Sequence, residues 1–274
     1  MNRETDATEA EVVYEKHGHV ATIRLNRPER FNALNADVFS ALTRAWQDFD
    51  HDPEMRVAVF TGTGRAFCAG ADMVSRAERA DTSDTSGDER GQRRVMPTFT
   101  ARHCKVYKPV ITAVNGVCAG AGLHFVVDCE IVIAGASATF TDPHANVGQV
   151  TALEPIGLSR RIPLGAVLRM VSMGRAERMS AQRAYELGLV SEVVPDDDLK
   201  KRAMEIADVV AGVSPDTLRT SLQTIWDSLD TGLDAALEVG WERIQDHYGH
   251  PDSSEGPRAF VEKRTPNWTV APRD

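Results

Sequence analysis

The sequence predicts an α/β fold, and three observations lead to that prediction. Short apolar runs of the kind found in buried strands alternate with segments whose apolar residues recur at helical spacing. The composition is that of a globular protein, with 42% hydrophobic and 26% charged residues. The 274 residues are enough chain for one large domain, or two small ones, with a sizeable core.

The predicted strands are short apolar runs bounded by turn-forming or polar residues. The first two surround a turn at Gly18, and the run over residues 57–60 is wholly apolar, which is typical of a strand buried on both faces. Strands are predicted over residues 12–14, 19–25, 57–60, 110–114, 131–134, 138–140 and 190–194.

The predicted helices are marked by end signals as well as by apolar spacing. Asn35 or Asp37 caps the first, which Pro53 ends, and Ser180 caps a later helix that stops at Gly188. Further helices are predicted over residues 94–105, to about 127, and over 196–213, 215–229, 233–247 and 255–264. From about residue 180 the chain is therefore almost entirely helical.

Charge, cysteine usage and hydropathy exclude several classes of protein. The net charge of −9, from 40 acidic and 31 basic residues, disfavours binding to a nucleic-acid backbone. The four cysteines match no zinc-binding spacing and are expected to be reduced thiols. The first 12 residues lack the apolar stretch of a signal peptide, and no apolar run reaches the roughly 20 residues of a membrane helix. We therefore expect a cytoplasmic protein without membrane contact.

Two loops of small residues follow predicted strands, over residues 64–73 and 113–124. Small residues allow a ligand to approach the backbone closely, and the start of a helix offers free N–H groups. Two such loops side by side can direct two backbone N–H groups at one oxygen, as an oxyanion hole does. Glycine-rich turns after strands also serve turn geometry and tight packing, so this pattern alone leaves both interpretations open.

Five segments together resemble the crotonase superfamily, the enoyl-CoA hydratase/isomerase family. The resemblance runs in order through residues 12–268. It is carried by Leu-Asn-Arg-Pro and Asn-Ala-Leu within 25–34, Phe-Cys-Ala-Gly-Ala-Asp over 67–72, and by residues 109–122, 179–190 and 260–264.

This resemblance implies an architecture and an assembly. The core, residues 11–195, would be a spiral of ββα repeats with two roughly perpendicular sheets, preceded by a flexible tail over 1–10. The helical region 196–274 would drive assembly into homotrimers or dimers of trimers. The polar stretch over 76–94 contains almost nothing to bury, and we expect it to be a mobile loop over the acyl pocket.

The resemblance also implies an acyl-coenzyme A thioester as the substrate, with coenzyme A part of that substrate and no permanently bound cofactor. Its carbonyl would accept hydrogen bonds from two backbone N–H groups, on Ala69, just before Gly70, and on Ala121. Backbone groups of Ala33, Ala69, Ala71 and Asp72 would line the CoA groove. Arg27 would meet the phosphates, and Phe260 with Lys263 would reach the CoA of a neighbouring subunit.

The sequence departs from the family at both positions where hydratases place catalytic glutamates. The first lies three residues after the second oxyanion donor and is His124 here, and the second is His144, within Thr-Asp-Pro-His. Because residues i and i+3 share a helix face, the His124 imidazole should lie one turn from the Ala121 N–H. Imidazoles transfer protons near neutral pH, so we predict that both histidines are catalytic acid–base groups.

A third acid, Glu154, lies where isomerases and C–C hydrolases of the family carry an extra carboxylate. It would orient a histidine or act as a base; the alternative is a charge at a helix N-terminus. Asp142 and Gln149 are weaker candidates of the same kind. A zinc site on His124 and His144, completed by Glu154 or Asp142, lacks any HxxxH or HExxH spacing, so we expect no metal.

These features favour an enoyl-CoA hydratase-like lyase that stabilises an enolate and uses histidine acid–base groups. One alternative on the same fold is a hydrolase that cleaves a C–C bond in a β-dicarbonyl compound, which could be a ring. An isomerase on this fold is another. Another is a non-catalytic CoA-binding protein. An RNA-binding version is discounted, because residues 37–54 are acidic where a lysine-rich helix would be needed.

Overall fold

The computed structural model describes residues 10–75, 77 and 98–269, and they form a mixed α/β structure, which confirms the predicted fold class. The strands are β1 (Val12–His17), β2 (Val20–Leu25), β3 (Val57–Gly62), β4 (Ala66–Cys68), β5 (Val110–Val114), β6 (Val117–Ala119), β7 (Ile131–Gly135), β8 (Thr139–Thr141), β9 (Met179–Ser180) and β10 (Glu192–Val194). The helices treated below are α1 (Ala36–His51), α2 (His124–Val127), α3 (Leu153–Ser159), α4 (Leu164–Met173), α5 (Ala181–Glu186), α6 (Leu199–Ala211), α7 (Pro215–Ser228), α8 (Leu233–His247) and α9 (Asp252–Glu262).

Within the described residues, a large sheet has the strand order β1-β2-β3-β5-β7-β10. The hairpin β1–β2 is antiparallel and the other neighbours are parallel. Helix α6 covers one face with Leu199, Ala203 and Ala207, which pack on buried residues of the central strands. These residues recur every four positions, and the two alanines let the helix approach the sheet closely.

A second, smaller sheet has the order β4-β6-β8-β9. Strands β4, β6 and β8 are parallel neighbours, with Ala66 opposite Val117 and Val117 opposite Thr139. The sequence analysis treated β4 and β6 as parts of loops, because three-residue strands of small side chains are too short to show a period. This sheet positions the candidate site.

Several element predictions are confirmed at their ends. The Asn35 side chain caps α1 by accepting a hydrogen bond from the Val38 N–H at 2.8 Å, and Asp37 lies inside the helix. Ser180 caps α5, accepting from the Arg183 N–H at 3.1 Å.

The helix predicted over 94–105 is wrong for its described part, since residues 101–105 form turns and residues 98–100 are irregular. The Thr100 hydroxyl accepts from the His103 N–H at 3.1 Å, and Lys105 adopts a left-handed φ of 59° that ends the turn. Residues 94–97, the tail over 1–9 and, apart from residue 77, the loop over 76–94 lie outside the described residues. In the described part of the chain, no helix combines the length and apolarity needed to span a bilayer.

Candidate active site

Three loops meet at one edge of the small sheet. Because β4, β6 and β8 are adjacent and parallel, the residues that follow their carboxyl ends lie side by side. These are residues 69–72 after β4, the one-turn 3-10 helix Gly120–Leu123 after β6, and residues 142–144 after β8. The edge therefore brings together both predicted oxyanion loops and the predicted His144.

The first two loops are in backbone contact, and glycine allows it. A β-carbon built at Gly70 would lie 2.8 Å from Ala119 O and 3.3 Å from Ala121 N, too close for any side chain. Gly70 also has a φ of +90°, which other residues rarely adopt. Ala121 is the second residue of its 3-10 helix, so its N–H precedes the first intrahelical hydrogen bond.

The two alanines that flank Gly70 differ in their hydrogen bonding. The Ala69 N–H donates to Phe31 O at 3.0 Å, so it is already engaged. Leu34 N donates to Gly70 O and Asp72 N donates to Leu34 O, and the Ala71 N–H between them donates to no acceptor among the described residues. The available amide beside Ala121 is therefore that of Ala71, two residues after the one predicted.

His124 opens α2 immediately after the Ala121 turn, and its side chain is 6% exposed. Its Nε2 lies 3.4 Å from Glu154 Oε1 and its Nδ1 lies 3.6 Å from Asp128 Oδ2. Burial alone would lower the pKa of His124, but the carboxylates of Asp128 and Glu154 outweigh it and raise that pKa to about 9. His124 is thus an imidazolium at neutral pH.

His144 lies against the same turn, held by a buried acid. A β-carbon built at Gly120 would lie 3.3 Å from His144 Cε1, so the ring lies directly over this glycine. His144 Nδ1 is 2.6 Å from Asp142 Oδ1, and the fully buried Asp142 carboxylate also accepts from the Thr151 hydroxyl at 2.6 Å. Burial would raise the pKa of Asp142, but the hydrogen bonds from His144 and Thr151 lower it, so the acid stays ionised.

Glu154, in the first turn of α3, lies between the two histidines. Its Oε1 is 3.4 Å from His124 Nε2 and 3.9 Å from His144 Nε2. Burial would raise the pKa of this carboxyl, but the hydrogen bond from His124 lowers it below its ordinary value. The weaker candidate Gln149 adjoins the site through its backbone N–H, which donates to His144 O at 3.0 Å.

The residues predicted to contact CoA lie in different places in the structure. Arg27 is largely buried and engaged, with its guanidinium 2.8 Å from Glu11 Oε1 and 3.1 Å from Asp72 Oδ2, and donating to Ala33 O at 2.5 Å. Two carboxylates therefore already neutralise it.

Phe260 and Lys263 lie far along the chain, at the C-terminal end of α9. The Phe260 side chain is exposed, with 85% of its surface accessible, and Lys263 ends the helix in a left-handed conformation. Among the described residues, no hydrogen bond or ion pair joins either of them to the His124 site, so their predicted role requires a second subunit.

The sequence analysis missed Asp128 and His103. His103 Nε2 lies 3.4 Å from Asp128 Oδ2, on the side of His124 opposite Glu154. The i to i+4 spacing of His124 and Asp128 was readable in the sequence, whereas nothing local marks His103, which lies in an irregular segment. Among the described residues, ligand atoms of His103, His124 and Asp128 lie within 4.8 Å of one another, close enough to hold a metal ion.

Comparisons with known proteins identify the family of the chain. The enoyl-CoA hydratase/isomerase family model matches residues 15–271. An enoyl-CoA hydratase/isomerase from Mycobacterium paratuberculosis is 42% identical, with a TM-score of 0.85 over 95% of this chain and 98% of that one.

Two curated relatives match over similar lengths. The chain is 30% identical to enoyl-CoA hydratase EchA19 of Mycobacterium tuberculosis over 94% of this chain and 96% of the relative. It is 33% identical to (E)-benzylidenesuccinyl-CoA hydratase of Thauera aromatica over 93% and 97%. The chain therefore belongs to the enoyl-CoA hydratase/isomerase family, whose members act on CoA thioesters.

Proposed function

We propose that the protein stabilises the enolate of an acyl-CoA thioester and that two histidines, in place of glutamates, transfer the protons. The observation that carries this proposal is the convergence of His124 and His144 on Glu154, beside the contact of Gly70 with Ala121. A thioester carbonyl bound at that contact would lie within reach of both rings.

The oxyanion would be held by the N–H groups of Ala71 and Ala121. Ala69 is replaced in this role because its N–H donates to Phe31 O. Donors directed at the developing negative charge contribute most when they need not reorganise, and these two belong to backbone fixed by Gly70 and Gly122. Ala33, Ala69, Ala71 and Asp72 would line the CoA groove. Arg27 is not retained as a phosphate contact.

His144 would be the base and His124 the acid. Asp142 fixes the proton of His144 on Nδ1 and directs Nε2 towards Glu154, as an aspartate does in other Asp–His pairs. His124 is an imidazolium between two carboxylates, so it can donate its Nε2 proton but is a poor acceptor. Glu154 would orient both rings.

With a 2-enoyl-CoA, His144 would deprotonate the water that attacks C3, and His124 would protonate C2 of the enolate. This hydratase-like lyase reaction is the first candidate, and membership of the enoyl-CoA hydratase/isomerase family supports it.

A second candidate reaction is hydrolysis of a β-dicarbonyl CoA thioester, and the Asp142–His144 pair favours it. Water activated by His144 would add to the distal carbonyl, and the C–C bond would break. Its electron pair would form the enolate held by Ala71 and Ala121, and His124 would protonate that enolate. An isomerase would use the same groups to move one proton.

One experiment tests enolate formation whatever the acyl group. The purified protein is incubated in D₂O with butyryl-CoA, whose weakly acidic Cα protons exchange slowly without a catalyst, and deuterium at Cα is measured by mass spectrometry. We expect exchange with the wild type and its loss in His124→Ala, which removes the group assigned to the Cα proton, with exposed His17→Ala as the matched control. Binding of butyryl-CoA without exchange would instead indicate a non-catalytic CoA-binding protein.

A second assay separates the reaction classes. We expect weak or absent hydration of a short 2-enoyl-CoA, since both glutamates of dedicated hydratases are replaced. Cleavage of the β-dicarbonyl thioester to two products would favour the hydrolase. Turnover of the enoyl-CoA like that of a two-glutamate hydratase would contradict the roles assigned to the histidines.

A further inference from the structure

A single carboxylate oxygen behind His124 collects three polar groups. Asp128 Oδ2 accepts a hydrogen bond from the Thr100 hydroxyl at 3.0 Å and lies 3.4 Å from His103 Nε2 and 3.6 Å from His124 Nδ1. His103 and Thr100 come from the turn segment before β5, and Asp128 ends the helix that His124 begins. The oxygen therefore links two separate segments of the chain.

The surroundings of His103 fix its protonation state. Its Nδ1 is buried and has no hydrogen-bond partner among the described residues, and the ring packs edge-on against Phe99 and His124, with centroids 5.3 and 5.2 Å away. A proton on Nδ1 would be a buried donor without an acceptor, which is costly. Burial likewise lowers the pKa of His103 below its ordinary value. His103 is neutral, and its proton is on Nε2, facing Asp128.

The same orphaned atom argues against a metal on His103, His124 and Asp128. A metal would take the lone pair of His103 Nε2 and force the proton onto Nδ1, where no described acceptor meets it. Metal-bound histidines almost always donate their other N–H to a partner. The cluster fits a carboxylate placed between two imidazoles better than a metal centre.

We propose that His103 is a positioning residue for catalysis: by donating its Nε2–H to Asp128, it holds that carboxylate against His124 Nδ1 and keeps His124 protonated towards Glu154. The inference rests on the proposed function, in which His124 is the acid. The resulting order, His103, Asp128, His124, Glu154, His144 and Asp142, alternates imidazoles with carboxylates across the site.

The groups that face His124 come from three segments. Asp128 is on its own helix, Glu154 is on α3, and His103 is on the turn before β5; His144 lies beyond Glu154 and Arg102 beyond His103. Among these, His103 contacts His124 in two ways, through the shared Asp128 carboxylate and by edge-on packing of the two rings.

The test measures the pKa of His124 directly, by NMR titration of the full-length protein labelled with ¹³C at histidine Cε1. His103→Phe removes the donor but keeps a ring of similar size, and His103→Gln keeps an N–H donor. His103→Leu is a second donor-free variant, should the phenylalanine prevent folding. His17→Phe, at an exposed histidine, is the matched control. The pH profile of kcat/KM is recorded for each variant with the substrate found active.

We expect His103→Phe to lower the pKa of His124 by part of the roughly 1–3 pH units that an adjacent opposite charge is worth, because the Asp128 carboxylate stays charged but is no longer held against His124 Nδ1 by His103. His103→Gln should restore a value close to that of the wild type, and His17→Phe should change nothing. The alkaline limb of kcat/KM should move with the His124 pKa, while KM changes little. An unchanged or raised His124 pKa in the donor-free variants would overturn the inference.

The proposed function can fail separately. If the His124 pKa falls in the donor-free variants while the pH–rate profile stays fixed, His103 positions Asp128 as inferred but His124 is not the catalytic acid. Loss of activity on treatment with a chelator, restored by Zn²⁺, would overturn the inference in favour of a metal centre on the same three side chains.

Discussion

His124 and His144 contact carboxylates in different ways, and their proposed roles rest on this difference. His124 has an acid on each ring nitrogen, so both nitrogens carry protons and the ring is charged. His144 Nδ1 lies 2.6 Å from Asp142 Oδ1, and its Nε2 lies 3.9 Å from Glu154 Oε1. We therefore propose His124, which has a carboxylate within 3.6 Å of each ring nitrogen, as the proton donor and His144 as the acceptor.

Replacing either histidine with alanine should lower kcat/KM in the true reaction by at least about 10²-fold, the lower end for acid–base groups. Binding of CoA should change little, because the backbone amides remain. Steady-state kinetics with the substrate identified by the exchange and product assays measure this. A loss below about threefold in both variants, against the His17→Ala control, would reduce the two residues to structural roles.

Activity should decline at alkaline pH. The proposed acid must be protonated, and the neighbouring carboxylates raise the pKa of His124 to about 9 against the effect of burial. As the pH rises, kcat/KM should therefore stay constant up to about pH 9, where His124 loses its proton, and fall above that pH. Asp128→Asn, which removes one of the two negative charges, should move this decline to lower pH. A decline near the ordinary histidine value in the wild type would contradict the assignment.

The proton on His124 also stabilises the folded state, so stability should decline as the pH rises. The folded-state pKa of His124, about 9, exceeds its ordinary value of 6.5, so the stabilisation is complete below pH 6.5 and disappears as the pH rises through 9. At about 1.4 kcal/mol per pH unit of displacement, the loss is on the order of 3 kcal/mol. Urea denaturation at fixed protein concentration should show this decline, and His124→Gln should flatten it.

At the scale of elements, the contact between the loops after β4 and β6 depends on Gly70. In Gly70→Ala the new methyl group would collide with Ala119 O and push the two amides apart. Gly18→Ala is the matched control, since Gly18 also has a positive φ, +58°, but faces open space. Both variants should lose about 1–2 kcal/mol of stability from backbone strain, and Gly70→Ala should lose more because of the collision with Ala119 O. Only Gly70→Ala should also lose about tenfold or more in kcat/KM, measured alongside denaturation.

The elements that the sequence predicted well are those with a local signal. Asn35 announces α1 because its side chain replaces a missing backbone acceptor, and the all-apolar run of β3 reflects burial on both faces. Strands β4 and β6 carry no such signal, since three small residues cannot show a period. The family resemblance, rather than periodicity, located the loops that follow them.

Site residues followed the same rule. His124 and Glu154 could be named from their motif positions, and the structure brings them to 3.4 Å. The proposed oxyanion donor is Ala71 and not Ala69 because the Phe31 carbonyl accepts a hydrogen bond from the Ala69 N–H. This contact joins residues far apart in the sequence, so no motif records it. His103 reaches the site only through the tertiary packing of an irregular segment, so no sequence pattern could have placed it there.

At the scale of the molecule, the C-terminal helices leave an apolar face uncovered. On α8 the exposed large apolar residues recur at helical spacing: Leu233, Leu237, Trp241, Ile244 and Tyr248. Such a patch on a single chain indicates an interface, and we propose that it contributes to the expected homotrimer. Light scattering should give three or six times the chain mass. Trp241→Glu should reduce it, whereas Glu238→Gln, at a polar position of α8, should not; a monomeric wild type would contradict the proposal.

The groups proposed to bind the thioester oxygen are main-chain N–H groups, whereas the groups proposed to move protons are side chains. Substitution at Ala71 or Ala121 leaves the amide hydrogen in place unless the new residue is proline, so a change of side chain at these two positions does not remove the donors. Replacing the imidazole at position 124 or 144 with a carboxylate would change the proposed proton transfer but would leave the backbone amides proposed to bind the thioester in place. A scaffold divided in this way can acquire new chemistry one codon at a time.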